Sequence, residues 1–531
     1  MKIVLDTNVV ISAVFFGGMP RMILNGVIDN KYAVCANTHI IDEYNEIVNV
    51  MIRRKQGHIN GKLLQLFLDE IEIYDIKSKV SICRDPDDDK FINCAIDAKA
   101  IYIVSEDNDL LTIGEFQGIE ILTVKDFVDR FIYGGIKLIS EKMYELGTKK
   151  STIRTIFEFG RKRAAEVGEE NIFDFSLGNP NVPTPPFIKD AVIDILNTMD
   201  VNAVHGYTVA PGHPKVRETL AKTLSERFND DITANNLFLT AGAAAAITIS
   251  FKALCEKDDE FIAIAPFFPE YKPFVENVGG KLVVVPPKVE DFQIDFNAFK
   301  QKITPHTKAI IVNSPNNPSG TVYSEETLKT LAEILSEKEK EYNHPIFIIS
   351  DEPYREIVFD GYSVSYIPKI YKNTIVCYSY SKSFSLPGER IGYILIPSRV
   401  AEFEKVYGAI AGAARVLTHV NAPSLWQYVI ARCADKPSNI ETYKKNAKIF
   451  YDGLIDAGFS CVKPQGAFYL FPKTLEPDDY AFCERAKKYD LLLVPGNDFG
   501  APGHFRIAYC TKTETIERAL PRFKQLAKEY E

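Results

Sequence analysis

Ser379-Tyr-Ser-Lys-Ser-Phe-Ser-Leu-Pro-Gly-Glu-Arg390 is the stretch on which the reading of this 531-residue chain turns. It follows Asn373-Thr-Ile-Val-Cys-Tyr378, an apolar run that reads as a buried strand, and it sets Lys382 just past that strand's end. Two further apolar runs end the same way. Thr307-Lys-Ala-Ile-Ile-Val-Asn313 leads into Ser314-Pro-Asn-Asn-Pro-Ser-Gly320, and His344-Pro-Ile-Phe-Ile-Ile-Ser350 leads into Asp351-Glu-Pro-Tyr354. An amine, an amide, a carboxylate and a phenol therefore sit just past three strands. In open parallel sheets the ligand crevice lies at the strands' carboxyl ends.

These are the groups that hold pyridoxal phosphate: a lysine for the Schiff base and an acid for the pyridine nitrogen. From about Leu138 to the end, the chain resembles a fold-type-I pyridoxal-phosphate aminotransferase of the aspartate aminotransferase family, with several motifs in the family's order. The resemblance implies a doubly wound large domain over about 175–425. It also implies a smaller α/β domain from 138–174 and about 426–531, and a homodimer. Lys382 is then the Schiff-base lysine and proton shuttle, Asp351 the partner of the ring nitrogen, and Tyr354 and Asn317 the contacts of the ring oxygen. Gly242 and Ala243, in Leu237-Phe-Leu-Thr-Ala-Gly-Ala-Ala-Ala-Ala-Ile247, match the phosphate loop. That segment reads as strand, turn and helix start, and a helix N-terminus suits an anion. Alanines stand where many relatives have hydroxyls, so backbone N–H groups must carry more of the contact. Ser379 and Arg390 match the remaining phosphate contacts, and Tyr207 matches a tyrosine reaching the partner subunit's phosphate. Phe268 matches the aromatic that stacks on the ring, with Phe267 its rival. Arg506, in His504-Phe-Arg-Ile-Ala508, matches the arginine that grips the α-carboxylate, and Gly178 the backbone that closes on it. Arg415 fits either a contact to a side-chain carboxylate across the dimer or a plain surface role. In the first case aspartate and glutamate are the natural substrates.

The front of the chain reads differently. Residues 1–135 carry 14 Lys/Arg against 21 Asp/Glu, so most of the net charge of −9 is concentrated there. Short strands expected at Lys2–Leu5, Ala33–Cys35, Ala100–Val104 and Ile119–Leu122 alternate with helical patterns, and the seam is placed at Tyr133-Gly-Gly-Ile136. The first strand ends in Asp6-Thr-Asn8. Glu43 lies beside the apolar face of a helix, Asp89 falls at a helix start within Arg84-Asp-Pro-Asp-Asp-Asp-Lys90, and another strand ends near Asp107 and Asp109. Over residues 1–132 this pattern resembles a PIN domain, a metal-dependent ribonuclease fold common among toxin components. The resemblance implies that Asp6, Glu43, Asp89 and Asp107 hold Mg²⁺ or Mn²⁺, with Asp109 a fifth candidate. It further implies RNA as substrate and an antitoxin as partner. Hard divalent cations take carboxylate oxygens and activate water. The competing readings are a turn at Asp6, a solvated helix cap at Asp85–Asp89, and a front domain (1–135) that only binds RNA or protein.

The acidic balance argues against broad basic nucleic-acid surfaces. Nine scattered cysteines with no C-x-x-C pair suit reduced thiols. No apolar run approaches the roughly 20 residues of a membrane span, and no secretory leader is evident, so a cytoplasmic protein is expected. For residues 136–531 the alternative to aminotransfer is a pyridoxal-phosphate lyase, because Lys382 and Asp351 serve both chemistries. No motif couples the two halves.

Overall fold

The computed structural model describes residues 1–53, 61–134, 139–148 and 152–531. The chain divides into two compact units, Met1–Lys150 and Ser151–Glu531. The glycines expected to mark the seam fall partly outside the described residues, and the first unit runs on through the helix Glu141–Thr148. The polar segment after the seam holds two helices, Glu141–Thr148 and Thr152–Val167; residues 149–151 lie outside the described residues.

The first unit is built on a six-stranded sheet. Its order is Glu72–Ile73, Ala33–Ala36, Lys2–Leu5, Tyr102–Val104, Ile119–Leu122, Glu115–Phe116. All neighbours pair in parallel except the last two, which form an antiparallel pair. The four strands read from the sequence are all present. Ile3, Val4 and Leu5 are fully buried, as expected of a central parallel strand covered on both faces. The register pairs Leu5 with Val104, so the residues just past these strands, Asp6 and Ser105, come out side by side.

The second unit carries a seven-stranded sheet in the order Lys281–Val285, Glu260–Ile264, Thr307–Asn313, Phe347–Asp351, Thr374–Ser379, Gly392–Leu395, Leu237–Thr240. The first five run parallel, and Gly392–Leu395 is antiparallel to both its neighbours. The registers matter more than the count. Asn313 pairs with Asp351 and Asp351 with Cys377; Ser379 pairs with Gly392 and Gly392 with Thr240. Residues far apart in sequence thus reach one sheet edge together. The apolar helix Ala243–Leu254 packs on this sheet, its Ala246, Ile249 and Phe251 fully buried with Ile375 and Ile394. A second, smaller layer follows the helix Glu441–Asp456. Tyr469–Leu470, Phe505–Ala508 and Val494–Pro495 form one sheet, and Leu491–Leu492 pairs in parallel with Phe173–Asp174. Phe175 packs against Phe450 at 4.9 Å, which ties the segment entering the large sheet to the C-terminal layer. Among the described residues no single helix is long and apolar enough to cross a membrane.

Candidate functional site

The carboxyl edge of the seven-stranded sheet opens into a cavity of about 310 Å³, and Lys382, Asp351, Asn317, Tyr354, Phe268 and Arg506 are among the residues lining it. Asp351 ends its strand 5% exposed. Its Oδ2 accepts a hydrogen bond from Tyr271 Oη at 2.5 Å, while Oδ1, equally buried, has no partner. Burial pushes this carboxyl up to about 7; the bond from Tyr271 opposes the rise and the nearby Glu352 adds to it. Asn313, its register partner, donates Nδ2 to the Asp351 carbonyl at 2.9 Å. A buried carboxylate oxygen facing a cavity without a partner is costly unless a ligand completes it.

Lys382 sits in the short helix Tyr380–Ser383 that follows the strand Thr374–Ser379. Its Nζ donates to the Gly178 carbonyl at 2.7 Å. Burial, with repulsion from Arg390 and Arg506, pushes the ammonium down to about 8, although Cys510 opposes this. Gly178 admits no side chain, since a Cβ there would stand 2.0 Å from the Tyr469 hydroxyl. Arg506, 4% exposed, donates Nη2 to the Ser176 carbonyl at 2.5 Å and Nη1 to Asn317 Oδ1 at 3.2 Å. Its guanidinium lies 5.0 Å from the Tyr469 ring and 4.9 Å from that of Phe499. Nε has no partner, and among the described residues no carboxylate pairs with this buried cation. Such a fork is suited to an incoming carboxylate.

An anion cradle lies at the other end. Gly242, at φ +83°, turns the strand Leu237–Thr240 into the helix Ala243–Leu254, and a Cβ there would lie 2.7 Å from the Arg390 guanidinium. Arg390 is exposed. Its Nη1 donates to Ser381 Oγ at 3.3 Å, and its Nη2 to the Ala241 carbonyl at 3.2 Å. Ser379 Oγ accepts from the Ser381 N–H at 3.1 Å. Helix N-terminus, hydroxyls and guanidinium converge as a phosphate needs.

Phe268, not Phe267, lines the cavity; Phe267 is buried in the core under the sheet. Tyr354 Oη lies 3.0 Å from Tyr469 Oη, and the Asn317 N–H donates to Asn313 Oδ1 at 2.8 Å. Two candidates stand apart. Tyr207 is 98% exposed, and Arg415 is exposed near the end of the helix Phe403–Val416; neither lines the cavity. Sequence reasoning missed Tyr271, Ser381, Asn313 and Tyr469. Ser381 and Asn313 lie within quoted stretches, yet nothing local marks their contacts.

In the first unit Ser105 Oγ donates to Asp6 Oδ2 at 2.6 Å and accepts from the Asp107 N–H at 2.8 Å, locking two strand ends together. Asp107 caps the helix Asn108–Leu111 through the Asp109 N–H. Asp88, Asp107 and Asp109 can each bring a carboxylate oxygen within 4.8 Å of the others. The expectation placed Asp89 in this set; the structure puts Asp88 there instead. Asp89 Oδ1 is turned away, accepting from the Ile82 and Cys83 N–H groups at 2.9 Å each. Burial works against its charge, but those N–H bonds hold it below the usual carboxylate range. Asp88 is pushed up to about 6, first by burial and then by Asp107, Asp6 and Asp85. Asp6 is raised mainly by burial, with Ser105 opposing and Asp107 and Glu43 adding. Glu43 pairs with Lys90 at 2.6 Å and Asp109 with Arg84 at 2.5 Å.

A doubly wound sheet carrying an amine of lowered pKa, a buried acid and an anion cradle at its carboxyl edge has the architecture of fold-type-I pyridoxal-phosphate enzymes. Residues 170–523 match the aminotransferase class I and II family model, and the chain belongs to that family. Residues 2–109 match a PIN domain model. The aspartate aminotransferase of Geobacillus stearothermophilus is 32% identical over 371 residues, 66% of this chain and 90% of its own length. The aspartate/prephenate aminotransferase of Thermus thermophilus is 30% identical over 360 residues, again 66% and 90%. The crystal structure of an amino transferase from Eubacterium rectale superposes with a TM-score of 0.73 at 50% identity, covering 74% of this chain and all of that one. The family's cofactor fits the residues present. The orphaned Asp351 Oδ1 would meet a protonated ring nitrogen, and the cradle at Gly242 and Arg390 is open to a phosphate.

Proposed function

We propose that the second unit moves an amino group between an L-amino acid and a 2-oxo acid, with Lys382 and Asp351 as its catalytic residues and Tyr354 beside them. The observation that carries this is Arg506, a buried guanidinium with a free Nε and no carboxylate partner, in the same cavity as Lys382. When bound, pyridoxal phosphate supplies an electron-withdrawing ring that acidifies the donor's Cα–H. The chain's residues do the rest. Arg506 grips the donor's α-carboxylate and, with Asn317 and Gly178, fixes its orientation. The Lys382 amine, unprotonated to a useful extent near neutral pH, takes the Cα proton and returns it on the other side of the transfer. Asp351 holds the proton of the ring nitrogen, and Tyr271 holds Asp351. Tyr354 and Asn317 hold the ring oxygen, Phe268 covers the ring face, and Gly242, Ala243, Ser379 and Arg390 seat the phosphate. Tyr207, exposed in one protomer, serves the partner's phosphate in a homodimer. Lys382→Ala tests the assignment: aminotransfer with 2-oxoglutarate should fall by roughly 10²–10⁴-fold or more. Retention of a substantial fraction of the wild-type rate would refute it, and product formed without any 2-oxo acid would favour the lyase reading.

For the PIN domain, the clustering of Asp88, Asp107 and Asp109 beside Asp6 supports a site for Mg²⁺ or Mn²⁺ and a ribonuclease activity. RNA is then its substrate, and an antitoxin protein a partner that silences it. Manganese-dependent cleavage of RNA, lost in Asp6→Asn, is the expected result; RNA bound but never cut would leave a binding module.

A further inference from the structure

We infer that Tyr469 is a positioning residue with two duties: its hydroxyl donates to Tyr354 and strengthens Tyr354's grip on the ring oxygen, and its ring supports the guanidinium of Arg506. This rests on the aminotransfer reading above. Tyr469 stands on the short strand Tyr469–Leu470, 2% exposed, and lines the cavity. Its Oη lies 3.0 Å from Tyr354 Oη, and among the described residues this is the hydroxyl's only hydrogen-bond partner. A phenol has one proton to give. In the proposed site Tyr354 spends its own on the ring oxygen, so Tyr469 is the donor between the two. Relative acidity gives the same direction. Burial raises both phenols, Tyr354 well above the usual range and Tyr469 up to about 12, with Arg506 pulling Tyr469 down. A donor whose oxygen itself accepts a hydrogen bond gives more strongly. Tyr469 therefore acts on the ring oxygen through Tyr354.

The second duty belongs to the ring. The Arg506 guanidinium lies 5.0 Å from the Tyr469 ring and 4.9 Å from that of Phe499. Aromatic rings at this distance attract the cation and limit its swing, while its planar fork stays available to a carboxylate. The hydroxyl end is fixed as well. A Cβ at Gly178 would stand 2.0 Å from it, so the phenol fits only because residue 178 is glycine. These contacts all lie within one protomer. Tyr354, Tyr469 and Arg506 are each at most 5% exposed there, so a partner subunit adds cover and takes none of the contacts away.

The test uses the full-length chain loaded with pyridoxal phosphate and two readouts. The first is the pH midpoint of the bound cofactor's absorbance. A donor at the ring oxygen draws off negative charge that would otherwise hold a proton on the Lys382 nitrogen, so a weaker donor moves the midpoint up. Tyr469→Phe should raise it by roughly 0.3–1 unit, and should add nothing further in a Tyr354→Phe background. The second is the equilibrium dissociation constant of 2-methylalanine, which presents an α-carboxylate and has no Cα–H to lose. Tyr469→Phe keeps the ring and should leave that constant within about twofold, whereas Tyr469→Leu or Tyr469→Met, without the ring, should raise it roughly tenfold. Cofactor-free melting temperatures check that each variant folds. An unmoved midpoint in folded, cofactor-binding Tyr469→Phe overturns the hydroxyl's role, and so does a shift that persists undiminished without the Tyr354 hydroxyl. Undiminished 2-methylalanine binding in the ringless variants overturns the ring's role. A wild-type chain that gives no cofactor band with pyridoxal phosphate sinks the aminotransfer reading and the inference with it.

Discussion

Both units gather their chemistry at the carboxyl ends of parallel strands, yet they do opposite things with charge. In the first unit like charges meet. Asp107 and Glu43 add to the proton affinity of the buried Asp6, and Asp88 is pushed up to about 6 by burial and then by Asp107, Asp6 and Asp85. In the second unit opposite charges are spread along one cavity, each lacking a full complement: Asp351 has an orphan oxygen, Arg506 an orphan Nε, and Lys382 is driven down to about 8. The first arrangement calls for cations and the second for a zwitterionic ligand set. Strand ends supply the place, and the sign pattern supplies the chemistry.

The sharpest way to break this contrast is Asp351→Asn. Asp351 is raised from 3.8 to about 7 by burial. A group raised in the folded state contributes stability below its unfolded value and loses that contribution as pH rises through the folded value. Without cofactor, the wild-type chain is therefore penalised above about pH 7 for ionising a buried carboxyl. Asp351→Asn should make the cofactor-free second unit more stable at pH 8–9, by up to ~4 kcal/mol, with little effect at pH 4. The same change should lower aminotransfer sharply, because an amide cannot hold the ring's proton. Urea midpoints across pH, with and without pyridoxal phosphate, measure both. Loss of stability at high pH in the apo-variant would mean that Asp351 holds the fold together rather than waiting for a ligand.

The first unit should respond to metal rather than to a neutralising substitution alone. Asp88 follows the same sign: its contribution is present below about pH 4 and is lost as pH rises through about 6. Manganese at a hundredfold excess over its Kd should stabilise the metal-bound fold by about 2.7 kcal/mol near neutral pH. Asp107→Asn should abolish that gain and bring Asp88 closer to the usual carboxylate range, since Asp107 is the largest charge acting on it. Melting temperatures with and without manganese at pH 7 decide the matter. An undiminished metal effect in Asp107→Asn would place the ion elsewhere.

The comparison also shows what can be read from a one-dimensional pattern. The strands were legible because buried parallel strands are continuous apolar runs, and Lys382, Asp351, Asn317 and Arg506 were legible because they stand just past them or within them. Asp88 and Asp89 could not be told apart in the run Asp85–Asp89. One residue is about 100° of helix rotation, and only the N–H groups of Ile82 and Cys83 decide which carboxylate turns inward. Tyr271 was illegible for another reason: its contact with Asp351 spans 80 residues and depends on how the helix Tyr271–Asn277 docks on the sheet. Tyr207 and Arg415 stand outside the cavity of a single protomer, and the cross-dimer contacts expected of them would need a partner subunit.

Tyr271→Phe gives the smallest effect and the finest resolution. Tyr271 and Phe have nearly the same shape, and the ring is fully buried among Val275, Phe267 and Ala263, so packing should survive. What is lost is one hydrogen bond to Asp351 Oδ2, worth about 1 kcal/mol or somewhat more to a charged acceptor. That bond lowers the Asp351 pKa, so its removal should raise it above about 7. Asp351 would then be protonated more often near neutral pH and less able to hold the ring nitrogen's proton. Cofactor affinity should fall several-fold at pH 7, recover as pH rises, and match wild type most closely near pH 9, with kcat following the same trend. A purely structural tyrosine would weaken binding equally at every pH. The pH profile of pyridoxal-phosphate affinity, rather than its value at one pH, therefore separates a residue that tunes the acid from one that merely fills space beneath it.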